Sequence, residues 1–283
     1  MSSSACAIRN MTRKDMDIAV EWAALEGWNP GAHDAECFHA ADPHGFFIGE
    51  VNREPVATLS AVSYGKTFGF LGFYIVKPEH RGKGYGMQIW RAGLDYLKGR
   101  NVGLDGVVAQ QDNYKKSGFN LAHRNIRYEG SGGGCLPAHG EIQPLAALPF
   151  QMVASYDQRC FPADRSPFLS AWLYQPQSTA LGVIRDGALV GYGVIRPCRS
   201  GFKIGPLMAD TPEAAETLFL ALKAGVPTSE PVFLDVPEVN REAVALAARH
   251  AMITVFETAR MHTGVAPDIP LDRLYGVTSF ELG

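Results

Sequence analysis

The sequence is poor in the features that mark several whole classes of protein. It has little net charge: 26 Lys and Arg against 29 Asp and Glu leave −3 over 283 residues, with an isoelectric point near 6.2. A generic nucleic-acid binder carries a basic surface, so no nucleic-acid partner is expected. No uninterrupted apolar run reaches the roughly 18 residues that a membrane span needs, so no membrane partner is expected either. The opening stretch MSSSACAIRNMTRKD lacks the apolar segment of a secretory signal, and Cys6 has no apolar run before it for lipoprotein processing. Five cysteines (Cys6, Cys37, Cys135, Cys160 and Cys198) are an odd number with no C-x-x-C spacing. That argues against a disulfide framework or a zinc site and for reduced thiols in a cytoplasm. His33, His39, His44 and His80 show no metal-ligand spacing, so no metal is expected.

What is present is ordinary globular material, 46% hydrophobic and 19% charged, long enough for one large or two ordinary domains. Thr12 to Asp15 reads as a capping box ahead of a helix whose apolar face is Ile18, Trp22 and Leu25. A short helix is expected over 33–39 and strands over 46–51, 56–62 and 68–76, the last mostly apolar and therefore central. A glycine-rich turn follows, then a helix with Met87, Ile89, Trp90, Leu94 and Leu97 on one side. A strand over 102–108, a short helix from about Asn113 and a strand over 124–128 complete the first half. Ser131 to Pro149 is rich in Gly, Pro and Ala and reads as a linker.

The second half repeats the order. Helices are expected near 152–159 and 167–173, and strands over 180–185 and 188–196 flank Asp186-Gly187, a hairpin signal. A strand over 202–207 precedes Thr211-Pro212, a helix start. Strand 232–236, helix 240–249 and strand 253–261 follow. The letters repeat too: VGLDGV at 102–107 answers VFLDVP at 232–237, and Arg127 and Arg260 each lie nine residues after Gly118 and Ala251. One fold used twice is the economical reading.

The chemistry concentrates in HRGKGYG, residues 80–86. A Walker loop needs Gly five residues before Gly-Lys and Ser or Thr after it, but position 77 is lysine and position 84 glycine. A dinucleotide fingerprint needs G-x-G-x-x-G, which fails at Met87 and at Ile89. What remains is a strand, a glycine turn with Arg81 and Lys83, and a helix start. Unpaired amides and the helix dipole favour an anion there, so a pyrophosphate site is expected; the competing reading is a tight turn with solvated basic residues.

Arg81-Gly82-Lys83-Gly84-Tyr85-Gly86 fits R/Q-x-x-G-x-G/A, and Tyr114 with Gly118-Phe119 resembles a Y-x-x-x-G-F ending. On these residues the chain resembles the GNAT superfamily of acyltransferases over 9–130, and by topology and weaker letters over 150–264. The order of its motifs is similar to a bacterial subgroup with two GNAT-like domains in tandem. The resemblance implies an α/β fold of mixed, mostly antiparallel sheets flanked by helices, with a catalytic domain over 1–130, a linker over 131–149 and a second domain over 150–283. It implies acetyl-CoA as cofactor and acyl donor, its pantetheine arm on Tyr74, Ile75 and Val76 and its pyrophosphate on the amides of Arg81, Gly82, Lys83, Gly84, Tyr85 and Gly86. The acceptor would be a small-molecule amine or amino-acid-like compound attacking directly, with Tyr114 returning a proton to the thiolate. The protein would be a monomer or homodimer.

The second half departs from this pattern. Met208 to Pro212 stands where the glycine loop should, and Ala247 where the tyrosine should, so the second copy reads as degenerate. In the first half the asparagine that opens the last helix is out of register; Gln110, Gln111 or Asn113 could take its contact. No carboxylate lies on 70–76, so no general base is placed. Asp34 and Asp105 are candidates on the acceptor side, against the plainer readings of helix cap and strand-end carboxylate. Arg124 and Arg127 are either a paired strand face or a site for a carboxylate-bearing acceptor. The alternatives in function are a non-catalytic acyl-CoA-binding module and a protein-lysine acetyltransferase.

Overall fold

The computed structural model describes residues 6–134 and 141–283. The first half runs β1 (Ala7–Asn10), α1 (Arg13–Leu25), α2 (Asp34–Ala41), β2 (Phe46–Val51), β3 (Glu54–Tyr64), β4 (Phe68–Val76), α3 (Tyr85–Tyr96), β5 (Asn101–Val107), α4 (Gln111–Lys116) and β6 (Asn120–Ser131). The second runs β7 (Ile142–Pro144), α5 (Phe150–Cys160), α6 (Ser166–Leu173), β8 (Thr179–Arg185), β9 (Ala188–Pro197), β10 (Phe202–Ala209), α7 (Pro212–Lys223), β11 (Pro231–Pro237), α8 (Arg241–Arg249), β12 (Ile253–His262) and β13 (Leu274–Gly276). This is a mixed α/β fold. β7 and a buried Leu145 occupy part of the stretch expected as linker; its residues 135–140 lie outside those described.

All the strands join in one sheet, in the order β1-β2-β3-β4-β5-β12-β6-β11-β10-β9-β8-β7, with β13 on β10. The two halves exchange their last strands. β12 pairs β5 and β6 pairs β11, and the exchanged strands pair with each other. Register places Arg260 opposite Asp105 and Arg127 opposite Asp235. Each arginine forks onto the carboxylate of the other half: Arg260 at 2.8 and 2.7 Å, Arg127 at 2.6 and 2.8 Å. The nine-residue spacing that the letters repeat thus positions two reciprocal cross-links.

The capping box forms as expected, with the Thr12 amide donating to Asp15 at 2.7 Å. The expected face of α1 is shifted by a residue or two: Met16, Ala19 and Ala23 are buried while Leu25 is 78% exposed. Alanines let the helix approach the sheet closely, and the larger Ile18 and Trp22 cover the edge of that contact. On this side α1, α2, α5 and α6 share one core that draws on both halves, with Phe38 of α2 stacked on Trp172 of α6. On the other side α3 covers the first half and α7 with α8 the second.

Two forks position everything that follows. β4 and β5 are parallel, joined by the α3 crossover, and pair only from Phe68/Asn101 to Leu71/Leu104. Beyond that they part. β10 and β11 do the same after Ile204/Leu234, but there β13 enters the gap, pairing Leu207 and Met208 of β10, and the Val277 amide donates to the Asp235 carbonyl.

Candidate active site

The open fork between β4 and β5 is a cavity of about 500 Å³, within the size range of small-ligand sites. Its β4 wall is shaped by a bulge. Register shifts between Thr58 and Ser60, Phe73 adopts φ 45°, and the Thr58 hydroxyl donates to the Phe73 carbonyl at 2.8 Å. A non-glycine residue held in left-handed backbone is costly, and such strain gathers at ligand sites. The bulge turns Tyr74, Ile75 and Val76 along the cavity.

The glycines at the outer end act for different reasons. Gly82 and Gly84 have φ of 74° and 83°, and the space over each is open. Gly84 caps α3 without a side chain, so the first amides of that helix keep no capping partner. By contrast, α7 in the second half is capped by the Thr211 hydroxyl, which accepts from the Ala214 amide. Gly86 is needed for contact: a Cβ there would meet the Tyr74 hydroxyl at 2.6 Å. Arg81 reaches back to the Val76 carbonyl at 2.9 Å and pairs with Glu26 at 2.5 Å. Open amides on a helix start, with a cation beside them, suit a pyrophosphate.

Tyr114 lies on α4, against the β5 arm. Its ring sits flat over Gly106, where a Cβ would come within 2.2 Å, and stacks on Trp90 at 5.7 Å. Its hydroxyl has no hydrogen-bond partner among the described residues. Burial pushes its pKa up to about 12, so the phenol stays protonated.

Of the residues expected from sequence, Tyr74, Ile75, Val76, Arg81, Gly82, Gly84, Gly86, Asp105 and Tyr114 line this cavity. The others do not. The Tyr85 side chain is buried in the core under α3, which leaves only its amide available. Lys83 is exposed. Asn113 is exposed and donates to the Gln110 side chain, and it is Gln110 that lines the cavity. Asp34 is no acceptor contact: it is buried, forked by Arg196 at 2.7 and 3.1 Å, and accepts from the Gly31 amide. Arg124 pairs with Glu257 and Arg127 with Asp235, so the paired-face reading holds for both. Asp105 lines the cavity but its carboxylate is taken by Arg260 and Asn125.

Sequence reasoning missed the wall supplied by the second half. Phe256 and Thr258 of β12, with Phe280 and Glu281 of the C-terminal segment, line the cavity together with Trp28. A Cβ on Gly72 would lie 2.1 Å from the Glu281 carbonyl, so that segment crosses β4 in close contact beside the bulge. Trp28 stands in the EGWNPG motif and was open to notice; the rest depends on strand exchange, which no local pattern reports.

Two family models match the chain: one described as acetyltransferase (GNAT) family over residues 9–119, and one as acetyltransferase (GNAT) domain over 153–276. The chain belongs to the GNAT acetyltransferases and is an acyltransferase of the kind that carries two such domains in tandem. It is 30% identical over 270 residues to the holothin acyltransferase of a Pseudoalteromonas strain, covering 95% of this chain and 92% of that one. Its fold is similar to a putative acetyltransferase from Pyrococcus horikoshii, with TM-score 0.84, 24% identity, and coverage of 100% and 97%. It is also similar to a tandem GNAT protein from the clavulanic acid biosynthesis pathway, with TM-score 0.63, 12% identity, and coverage of 93% and 100%. No described helix is long and apolar enough to cross a membrane.

Proposed function

We propose that the protein transfers an acetyl group from acetyl-CoA to the primary amine of a small molecule, using the β4–β5 fork as its single site. The observation that carries this is the contrast between the two forks: one is open, glycine-led and uncapped, and the other is filled by β13. The residues fit the donor. The α3 amides and Arg81 suit its pyrophosphate, and β4 beyond Leu71 has no strand on its β5 side to compete for pairing with a pantetheine arm. Acetyl-CoA supplies the activated acyl group.

Tyr114 serves as the acid that protonates the departing sulfur. At a pKa of about 12 against a thiol near about 8.5 in water, the transfer is uphill by about 5 kcal/mol. The same dry wall that raises the phenol also raises a thiolate's affinity for protons, which offsets part of that gap. General acid help of this kind is worth about 10²–10⁴-fold. The acyl-CoA-binding sensor reading keeps the α3 contacts and needs no proton from Tyr114.

Calorimetric titration with acetyl-CoA tests the site. One site per chain, lost in Gly84→Glu, is expected; two sites or none would refute the single-fork reading. Tyr114→Phe then separates enzyme from sensor: turnover should fall at least 10²-fold with acetyl-CoA affinity kept.

A further inference from the structure

Three acidic residues line the cavity: Glu26, Asp105 and Glu281. Glu26 holds Arg81 at the outer end, and Asp105 is held by Arg260 and Asn125. Glu281 is different. It is 4% exposed, and among the described residues its carboxylate has neither a hydrogen-bond nor an ion-pair partner. Its place is fixed by backbone: its carbonyl abuts Gly72 and accepts from Ser60, while Tyr64 donates to the next carbonyl, that of Leu282. That puts it beside the Phe73 bulge, where β4 and β5 begin to part. Tyr114 stands on α4 against the β5 arm, packed toward the α3 side, and Glu281 comes in with the segment that packs on the opposite side. His80, whose Nδ1 is buried without a partner, sits past the outer end of β4. From Gly72 to Val76 is about 13 Å of strand, so His80 belongs to the phosphate end.

We propose that Glu281 takes the proton of the acceptor amine, and that the acceptor is an arylalkylamine, a primary amine carried on an aromatic body, without an acid group. This rests on the acyl-transfer reading of the same cavity. The walls near Glu281 are Trp28, Phe256 and Phe280, which suit a flat apolar body. A carboxylate-bearing acceptor would need a free cation here. Among the described residues Arg81 is the one lysine or arginine in the lining, and it sits at the phosphate end paired with Glu26; Arg127, Arg196 and Arg260, outside the lining, each already hold a carboxylate. An acid group would also face Glu281 itself.

The step balances. The amine nitrogen forms a bond to the acyl carbon, the carbon–sulfur bond breaks, and the amine's proton passes to Glu281. Tyr114 gives its proton to the sulfur, and exchange with water restores both residues. The charges that act on Glu281 are those of Lys203 on β10, Asp34 on α2, Arg127 on β6 and Arg196 on β9. Burial outweighs these cations and raises the Glu281 pKa, bringing it closer to neutrality, as a base requires.

The test uses the full chain, acetyl-CoA, and phenethylamine or phenylalanine as probe acceptors, read by thiol release and by calorimetric binding of each partner. Phenethylamine is expected to be acetylated at least 10²-fold faster than phenylalanine. Glu281→Gln should lower turnover about 10²-fold, weaken phenethylamine binding and leave acetyl-CoA affinity unchanged. Its rate should rise steadily with pH, following the free amine, where the native enzyme levels off. Glu281→Asp should recover part of the loss. Acetyl-CoA bound with phenethylamine untouched, phenylalanine accepted equally, or a uniform loss in Glu281→Gln with the pH profile unmoved would each overturn the proposal. Failure of the native protein to bind acetyl-CoA would instead overturn the acyl-transfer reading beneath it.

Discussion

Replacing Asp235 by Asn tests whether the exchanged strands are held by their reciprocal ion pairs. Asp235 and Arg127 have side chains only 1% and 3% exposed. Arg127 also donates to the Trp28 carbonyl and lies between the rings of Phe256 and Phe280. Asn removes the charge and leaves a buried guanidinium without its hydrogen-bonded ion-pair partner, a change that typically costs about 3–5 kcal/mol. For a chain of this size that is about 6–20 °C of melting temperature. The twin substitution Asp105→Asn should cost less than half as much. Burial opposes charge at both sites, but Asp235 feels Arg127, Lys203 and Arg196, and its pKa is lowered. Asp105 has Arg260 alone and feels the negative charge of Asp235, and its pKa is raised. Arg127→Met combined with Asp235→Leu should recover most of the loss, since an apolar pair replaces a desolvated ionic one at little cost. Thermal and urea unfolding read all three. A loss below about 1 kcal/mol in Asp235→Asn, or an equal loss in Asp105→Asn, would refute the reasoning.

Gly106→Ala puts a methyl where the Tyr114 ring lies, 2.2 Å away; the ring must move, and turnover should fall about 10-fold or more with acetyl-CoA affinity less affected. Unchanged kinetics would show that Tyr114 needs no such seat. Ala251→Gly should stabilise the protein by up to about 1 kcal/mol, because Ala251 sits at φ 51°, which costs an L-residue about 1–2 kcal/mol, and the entropy that glycine loses is smaller. Differential scanning calorimetry should show the rise; a fall would mean that the Ala251 methyl packs usefully. Burial lowers the His123 pKa to about 4. The unfolded chain takes that proton first, so stability held above about 6.5 is lost as pH falls toward 4, by about 3 kcal/mol. His123→Gln should flatten urea midpoints across that window; an unchanged slope would exclude His123 as the source.

Local chemistry made most of the elements and one end of the site legible. The capping box at Thr12, the Asp186-Gly187 turn and the glycine loop are sets of neighbours in the chain, and each formed where its residues placed it. The α1 face was misjudged because size was read as burial, whereas the alanines make the close contact. Asp34 was drawn toward the acceptor because a carboxylate near the expected pocket looks chemical; a buried arginine 162 residues away decides its role. β13 and the segment after it carry little periodicity, being three residues of strand and a run of turns. Nothing local marks Glu281. It becomes visible only when the second fork is seen to be filled.

That filling gives the second half a definite part in shaping the open fork. A second fork left open would be a buried hole with unpaired strand edges, which is costly. β13 closes it, satisfying Leu207, Met208 and the Asp235 carbonyl. The chain leaving β13 then has only a short path to the other fork, and it arrives at Gly72 with Phe280 and Glu281. Closure of the second fork and construction of the inner wall of the open one therefore fall to the same ten residues, 274–283, all of them buried. Gly72 is the position where the two functions meet. Any side chain there strikes the Glu281 carbonyl, so Gly72→Ala should loosen the tail at both forks together, lowering stability and turnover in one variant where Glu281→Gln lowers turnover alone.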